Sequence, residues 1–173
     1  CFSNTISTIR SLEPNAEVKN GKSISRNSIQ DAEQEIIDWV RSLGFEKSET
    51  PVTPEPPVTP GQSETPEIPE QPTGNHVLIV YFTAEYGNTE RIANYIHSKI
   101  GGDIVKIEAA QPYTSQDLNY SIPNNRPEVE KAENARPEIA QTTYDQIDIS
   151  KYDTVFIGYP IWWWTAPMII GTF

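Results

Sequence analysis

The stretch VLIVYFTAEYGNTERIANYI, residues 77–96, changes its period halfway along. Val77 to Phe82 are apolar without a break, so this segment offers no polar face to water. It suits a strand covered on both sides, as in the middle of a parallel sheet. A polar Thr/Gly/Asn turn follows. Ile92, Ala93 and Ile96 then recur at helical spacing, which predicts a helix from Asn88 or Thr89 to the stop at Gly101-Gly102. A buried strand that feeds directly into an amphipathic helix is half of a strand–helix–strand unit. Such a unit commits the chain to parallel neighbours and right-handed crossovers.

Those neighbours are visible. The strand itself is expected over His76 to Phe82, DIVKIE (Asp103 to Glu108) reads as a second strand, and TVFIGYPIW (Thr154 to Trp162) as a third buried one. Residues 109–150 form a long polar connection with one short helix after Pro127, and Pro167 to Phe173 begins another helix. The fold class is α/β, a doubly wound parallel sheet.

Upstream the chain changes character. Residues 48–74 hold eight of the 15 prolines, five glutamates and no Lys or Arg. Fixed φ angles and like charges make this an extended, semi-rigid linker. Ahead of it, SIQDAEQEIIDWVRSLG predicts a helix from Ser28 to Leu43, with Ser28 as cap, Asp31 completing a capping box and Gly44 as stop. Ile29, Ala32, Ile36, Val40 and Leu43 share one face, so this helix packs on something. A short helix is expected over Thr5 to Leu12 and a short strand near Ala16 to Lys19. The three segments are 1–47, 48–74 and 75–173, and the first has too little apolar surface to fold alone.

A net charge of −11 disfavours nucleic acid and anionic membranes as partners. One cysteine excludes an internal disulfide, and no Cys/His cluster has zinc spacing. No apolar run reaches the ~20 residues of a transmembrane helix. The Pro/Thr/Glu-rich spacer suits an exported or cell-surface bacterial protein.

In doubly wound sheets, ligands bind beyond the carboxyl ends of the strands. Two loops leave strands in that direction, Thr83 to Thr89 and Pro160 to Thr165. The first offers the hydroxyls of Thr83 and Thr89, the Asn88 amide, flexible backbone at Gly87 and a helix N-terminus. Together these make a phosphate seat that requires no cation. The Walker pattern and the Gly-x-Gly-x-x-Gly fingerprint are absent, and no aspartate ends strand one or three. The second loop carries Trp162, Trp163 and Trp164. Three consecutive indoles cannot all turn inward, so at least one is expected to be exposed or to cover a flat ligand. A phosphate seat beside an aromatic wall fits FMN.

These residues carry a family resemblance. YFTAEYGNTERIA and KYDTVFIGYPIWWWTAPMI resemble the phosphate loop and first flavin loop of the flavodoxin family. The closest likeness is to its variant with a Gly-Tyr-Pro-Ile-Trp-Trp signature, which NARPEI (Asn134 to Ile139) also resembles. The resemblance implies that Thr83, Glu85, Tyr86, Gly87, Asn88 and Thr89 surround the FMN phosphate. It implies that Pro160, Ile161, Trp162 and Trp163 border the isoalloxazine, with Trp164 at a variable position. Residues 1–47 resemble the end of such a domain and 75–173 its start, so a flavodoxin-like sheet is expected to be incomplete, with its fourth strand absent. Two arrangements account for this order: a window across two tandem domains, or a circular permutant lacking a strand. With half the cradle missing, FMN binding by this chain is expected to be weak. The implied role is electron transfer with a redox partner protein or an NAD(P)H-linked reductase. The alternatives are an NAD(P)H-dependent quinone or azo reductase, and a surface binding module that no longer takes flavin. Neither His76 nor His97 is assigned a catalytic role.

Overall fold

The computed structural model describes residues 6–7, 9–11, 14–45, 76–83 and 86–173. The expected linker 48–74 and Glu85 lie outside the described residues.

Three strands form a parallel sheet: β1 (Val77–Tyr81), β2 (Asp103–Lys106) and β3 (Thr154–Gly158), in the order β2-β1-β3. Val80 stands opposite Val105 on one side and Ile157 on the other. All five residues of β1 are buried, as their unbroken apolar run requires. The alternation of a strand then sorts them. Leu78 and Val80 face one layer with Phe82, Ile107, Ile139, Trp162 and Ile169. Val77, Ile79 and Tyr81 face the other with Ala93, Ile96 and Phe156. Leu78 and Val80 are fully enclosed, each contributing roughly 1.5–3 kcal/mol of apolar burial.

The second layer also receives part of the segment before residue 46. Helix α1 (Glu33–Ser42) places Ile36 and Val40 there, preceded by the buried Ile29 and Ala32, so the apolar face read from the sequence is the buried one. Its start differs from expectation. Ser28 ends a 3-10 turn, Arg26–Ser28, in which Ser25 Oγ accepts the Asn27 N–H. That earlier cap takes up the chain before Ser28 can act, and α1 begins five residues later without a side-chain cap. The described residues within 6–11 are helical.

The strand expected near Ala16 to Lys19 does not form. A strand exists only where its N–H and C=O groups meet a neighbouring edge. Residues 15–24 instead line the far side of a cleft whose near side is β3.

Helix α2 (Asn88–Ile100) packs between β1 and α1. It closes where Gly101 donates to His97 O at 2.8 Å, and Gly101 and Gly102 both take positive φ. The long connection holds α3 (Arg126–Ala132), capped by Asn125 with Pro127 in its first turn, and a short α4 (Gln141–Tyr144). The final segment is a 3-10 turn, Met168–Gly171, rather than the expected α-helix start. Pro167 precedes it with extended backbone and its carbonyl accepts the Ile170 N–H, which sets the tighter i+3 pattern.

Candidate functional site

Both loops singled out in the sequence leave the carboxyl edge of the sheet. The first follows β1 through Phe82 and the half-buried Thr83 to Tyr86, which is exposed. Gly87 caps α2 at φ +61°, a left-handed conformation glycine adopts without a Cβ penalty. The first bond within α2 runs from Arg91 N–H to Gly87 O at 3.0 Å. The N–H groups of Asn88, Thr89 and Glu90 therefore point out of the helix end, and no described side chain caps them. Tyr81 Oη donates to Glu90 Oε1 at 3.3 Å, so the site also carries one carboxylate. Burial first, and Glu90 second, raise the Tyr81 phenol above its ordinary range.

Gly158 brings the two loops together. A Cβ there would lie 3.2 Å from Thr89 Cγ2 and 3.3 Å from Tyr81 Cβ. Without one, the first turn of α2 rests on the end of β3, where the second loop begins.

That second loop is a two-residue hairpin. Trp162 N–H donates to Thr165 O and Thr165 N–H to Trp162 O, both at 2.9 Å. Its two central residues, Trp163 and Trp164, have φ +43° and +68°. Such turns ordinarily use Asn-Gly, because a left-handed residue with a side chain costs roughly 1–2 kcal/mol. The indoles diverge as three neighbouring rings must. Trp162 is buried edge-on to Phe82 and Tyr113, with ring centres 5.4 and 5.1 Å apart. Trp163 stacks on Tyr120 at 4.4 Å, and its carbonyl accepts from Lys131 Nζ at 2.7 Å. Trp164 is 77% exposed. Pro160 is half-buried and Ile161 exposed at the loop's mouth.

Since Trp164 has little packing to lose, Trp164→Gly is expected to stabilise the fold by about 1 kcal/mol through release of backbone strain. Urea unfolding reads this directly. A loss of stability would mean the indole is held by interactions stronger than the strain.

A brace missed in the sequence holds this loop from behind. Tyr113 Oη donates to Glu130 Oε2 at 2.8 Å, and Arg126 Nε donates to Glu130 Oε1 at 2.6 Å. The Arg126 guanidinium lies 3.9 Å from the centre of the Tyr113 ring and reaches Gln111 O at 2.8 Å. Burial, then the hydrogen bond to Glu130, push the Tyr113 phenol far above its usual range. Arg126 and Glu130 stand at i,i+4 on α3, a spacing open to inspection. Tyr113 lies on a different segment, and only the folded chain brings it in.

Thr83, Tyr86, Gly87, Asn88, Thr89, Pro160, Ile161 and Trp162 all line one cleft of about 1590 Å³. It continues along β3 to residues 15–24 and exceeds the ~300–1,000 Å³ that encloses a small ligand. The described residues thus form an open wall. Trp163 sits behind that wall, against Tyr120. Among the described residues no group of three His, Cys, Asp or Glu is arranged to hold a metal ion, and no helix is long and apolar enough to cross a membrane. His97 Nε2 lies 3.0 Å from Gly102 O and His76 Nδ1 3.8 Å from Asp153 Oδ2, and neither histidine lines the cleft.

Comparison with known proteins bears on this geometry. Residues 76–173 match the family model described as flavodoxin. The chain is similar to the crystal structure of a flavoprotein candidate from Bacteroides eggerthii, with TM-score 0.53 and 44% identity over 58% of this chain and 61% of that one. A second such candidate, from Bacteroides uniformis, gives TM-score 0.51 and 35% identity over 58% and 62%. The chain therefore spans about three-fifths of the length of these solved structures. No curated protein matches it. With a matching family model over more than half its length, a partial three-stranded parallel sheet and both loops at one edge, the chain belongs to the flavodoxin family.

Proposed function

We propose that this chain carries the phosphate seat and one aromatic wall of an FMN site used in electron transfer. The observation that supports this best is the convergence at Gly158. It rests the first turn of α2, with its three outward N–H groups, on the end of β3 from which the tryptophan loop leaves, at the edge where such sheets bind ligands, and Asn88, Thr89 and Trp162 line one cleft there. Flavodoxin is itself a standard instance of ligand binding at that edge, so the placement follows a known pattern. The likeness to two flavoprotein candidates supports a flavin in general, and the anion-ready helix end favours its phosphorylated form.

The residues present fit such a group. Gly87 allows close backbone approach, and the N–H groups of Asn88, Thr89 and Glu90 are available as donors. Thr83 and Thr89 add hydroxyls. Ile161 is exposed on the cleft beside Pro160 and Trp162, where a flat ring system can lie against apolar surface. Bound FMN supplies the redox chemistry, and the protein orients it and sets its surroundings. The open wall accords with weak binding, since one side of a planar ligand stays uncovered.

Asn88→Asp places a carboxylate at the seat and is expected to weaken FMN affinity about tenfold, the scale of one charge-assisted hydrogen bond removed or opposed. Fluorescence titration with FMN measures it. Unchanged affinity would remove the phosphate from the α2 N-terminus.

A further inference from the structure

β3 stands at an edge of the sheet but has the composition of an interior strand. TVFIG, residues 154–158, carries no charge and no proline. Edge strands ordinarily carry such residues, because a bare edge recruits other chains. β2, the opposite edge, is built that way, with Asp103 and Lys106 exposed at its two ends. The β3 ladder also leaves backbone groups over. Thr154 N–H donates to His76 O, and Gly158 O accepts from Phe82 N–H, so residues 154, 156 and 158 bond towards β1. The N–H and C=O groups of Val155 and Ile157 point the other way. Among the described residues no hydrogen bond reaches them.

Those groups open on the cleft, which continues along β3 beyond the two loops. Its walls come from both layers, with Trp39, Leu43 and Phe45 on one face of the sheet and Ile147, Ile170 and Phe173 on the other. Its far side includes Ala16 to Lys19, the stretch that reads as a strand and has no edge to pair with. A bare edge on one side, a strand-prone stretch opposite and apolar walls above and below together make a slot of strand shape. We propose that this slot receives one extended strand from another polypeptide, apolar on both faces and hydrogen-bonded to Val155 and Ile157. Residues 46–75 of the chain itself do not suit it, because no five-residue stretch there is both apolar and free of proline. The occupant's chemistry follows from the slot. Backbone groups add it to the sheet edge, apolar side chains fill both layers, and basic flanks suit a net charge of −11.

The probe is a synthetic peptide of residues 76–82, HVLIVYF, flanked by lysines for solubility. Within the fold, Val77 to Tyr81 of that sequence already pair with the other edge of β3. Amide hydrogen exchange of the full chain is followed with and without the peptide. The expected result is saturable binding of one peptide per chain, with the Val155 and Ile157 amides exchanging at least about tenfold more slowly. Ile107 N–H donates to Tyr81 O, so the Ile104 and Lys106 amides point outward from β2, and their exchange is expected not to change. The same peptide with Ile79→Pro is expected to leave all of these amides unchanged. Equal slowing at β2, or with the proline peptide, would overturn the proposal by showing unspecific adhesion. No saturable binding up to about 1 mM peptide would also overturn it. A chain that sediments as a dimer, with Val155 and Ile157 already slow, would overturn it by giving the slot to a second copy.

Discussion

Trp162→Ala is expected to lower the unfolding free energy by about 3–5 kcal/mol, the range for removing a buried aromatic ring from a packed core. The indole is 6% exposed and meets Phe82 and Tyr113 edge-on, in the same layer as Leu78, Val80 and Ile169. Alanine leaves a void bounded by rings that the Arg126–Glu130 brace keeps from closing in. The two backbone bonds between residue 162 and Thr165 remain available to alanine, so the loss reports the packing of the ring. Urea unfolding should show a lower midpoint with an unchanged slope. A loss under about 1 kcal/mol would place Trp162 outside the core.

Gly102→Ala is expected to cost about 3 kcal/mol, combining roughly 1–2 kcal/mol of strain from positive φ with a steric clash that only backbone movement relieves. Its φ is +88°, and a Cβ there would lie 2.4 Å from Val77 O and 3.0 Å from Val77 Cβ, at the start of the central strand. Gly44 provides the comparison. Its φ is +90°, but nothing stands within 4 Å of its would-be Cβ. Gly44→Ala should therefore cost only the strain, about 1 kcal/mol. Equal losses at the two positions would mean that the approach of Gly102 to β1 contributes nothing.

These two glycines also mark how far local chemistry reaches. Gly44 and Gly101-Gly102 signal helix stops by themselves, and both helices end there. That Gly102 also touches Val77 depends on the crossover closing, which no local pattern encodes. The β1 run and the α2 spacing are equally legible, because burial on two faces and on one face leave different periods. Ser28 misleads because Ser25, three residues earlier, competes for the same capping role and takes it. Ala16 to Lys19 mislead because strand propensity needs an edge to pair with, and these residues face β3 across the cleft.

The candidate site shows the same division. The loop after β1 and the tryptophan loop are readable as residue types, and the divergence of the three indoles follows from ring size. What brings the loops together, Gly158 against Thr89, is a meeting of β3 and α2. The Tyr113–Glu130–Arg126 brace joins residues from separate stretches of the polar connection. Arg26 has no place in a linear reading, since its contact with Tyr86 joins residues 60 positions apart.

Whether this chain seats FMN at the loops beyond β1 and β3 is tested most directly by a fluorescence titration of the wild-type chain with FMN, in a sample whose urea transition is cooperative. Weak, saturable binding at one FMN per chain is expected, with protein indole emission quenched as the flavin lies against the tryptophan loop. No saturable change up to ~1 mM FMN, a ceiling of only about 4 kcal/mol of binding free energy, would contradict it.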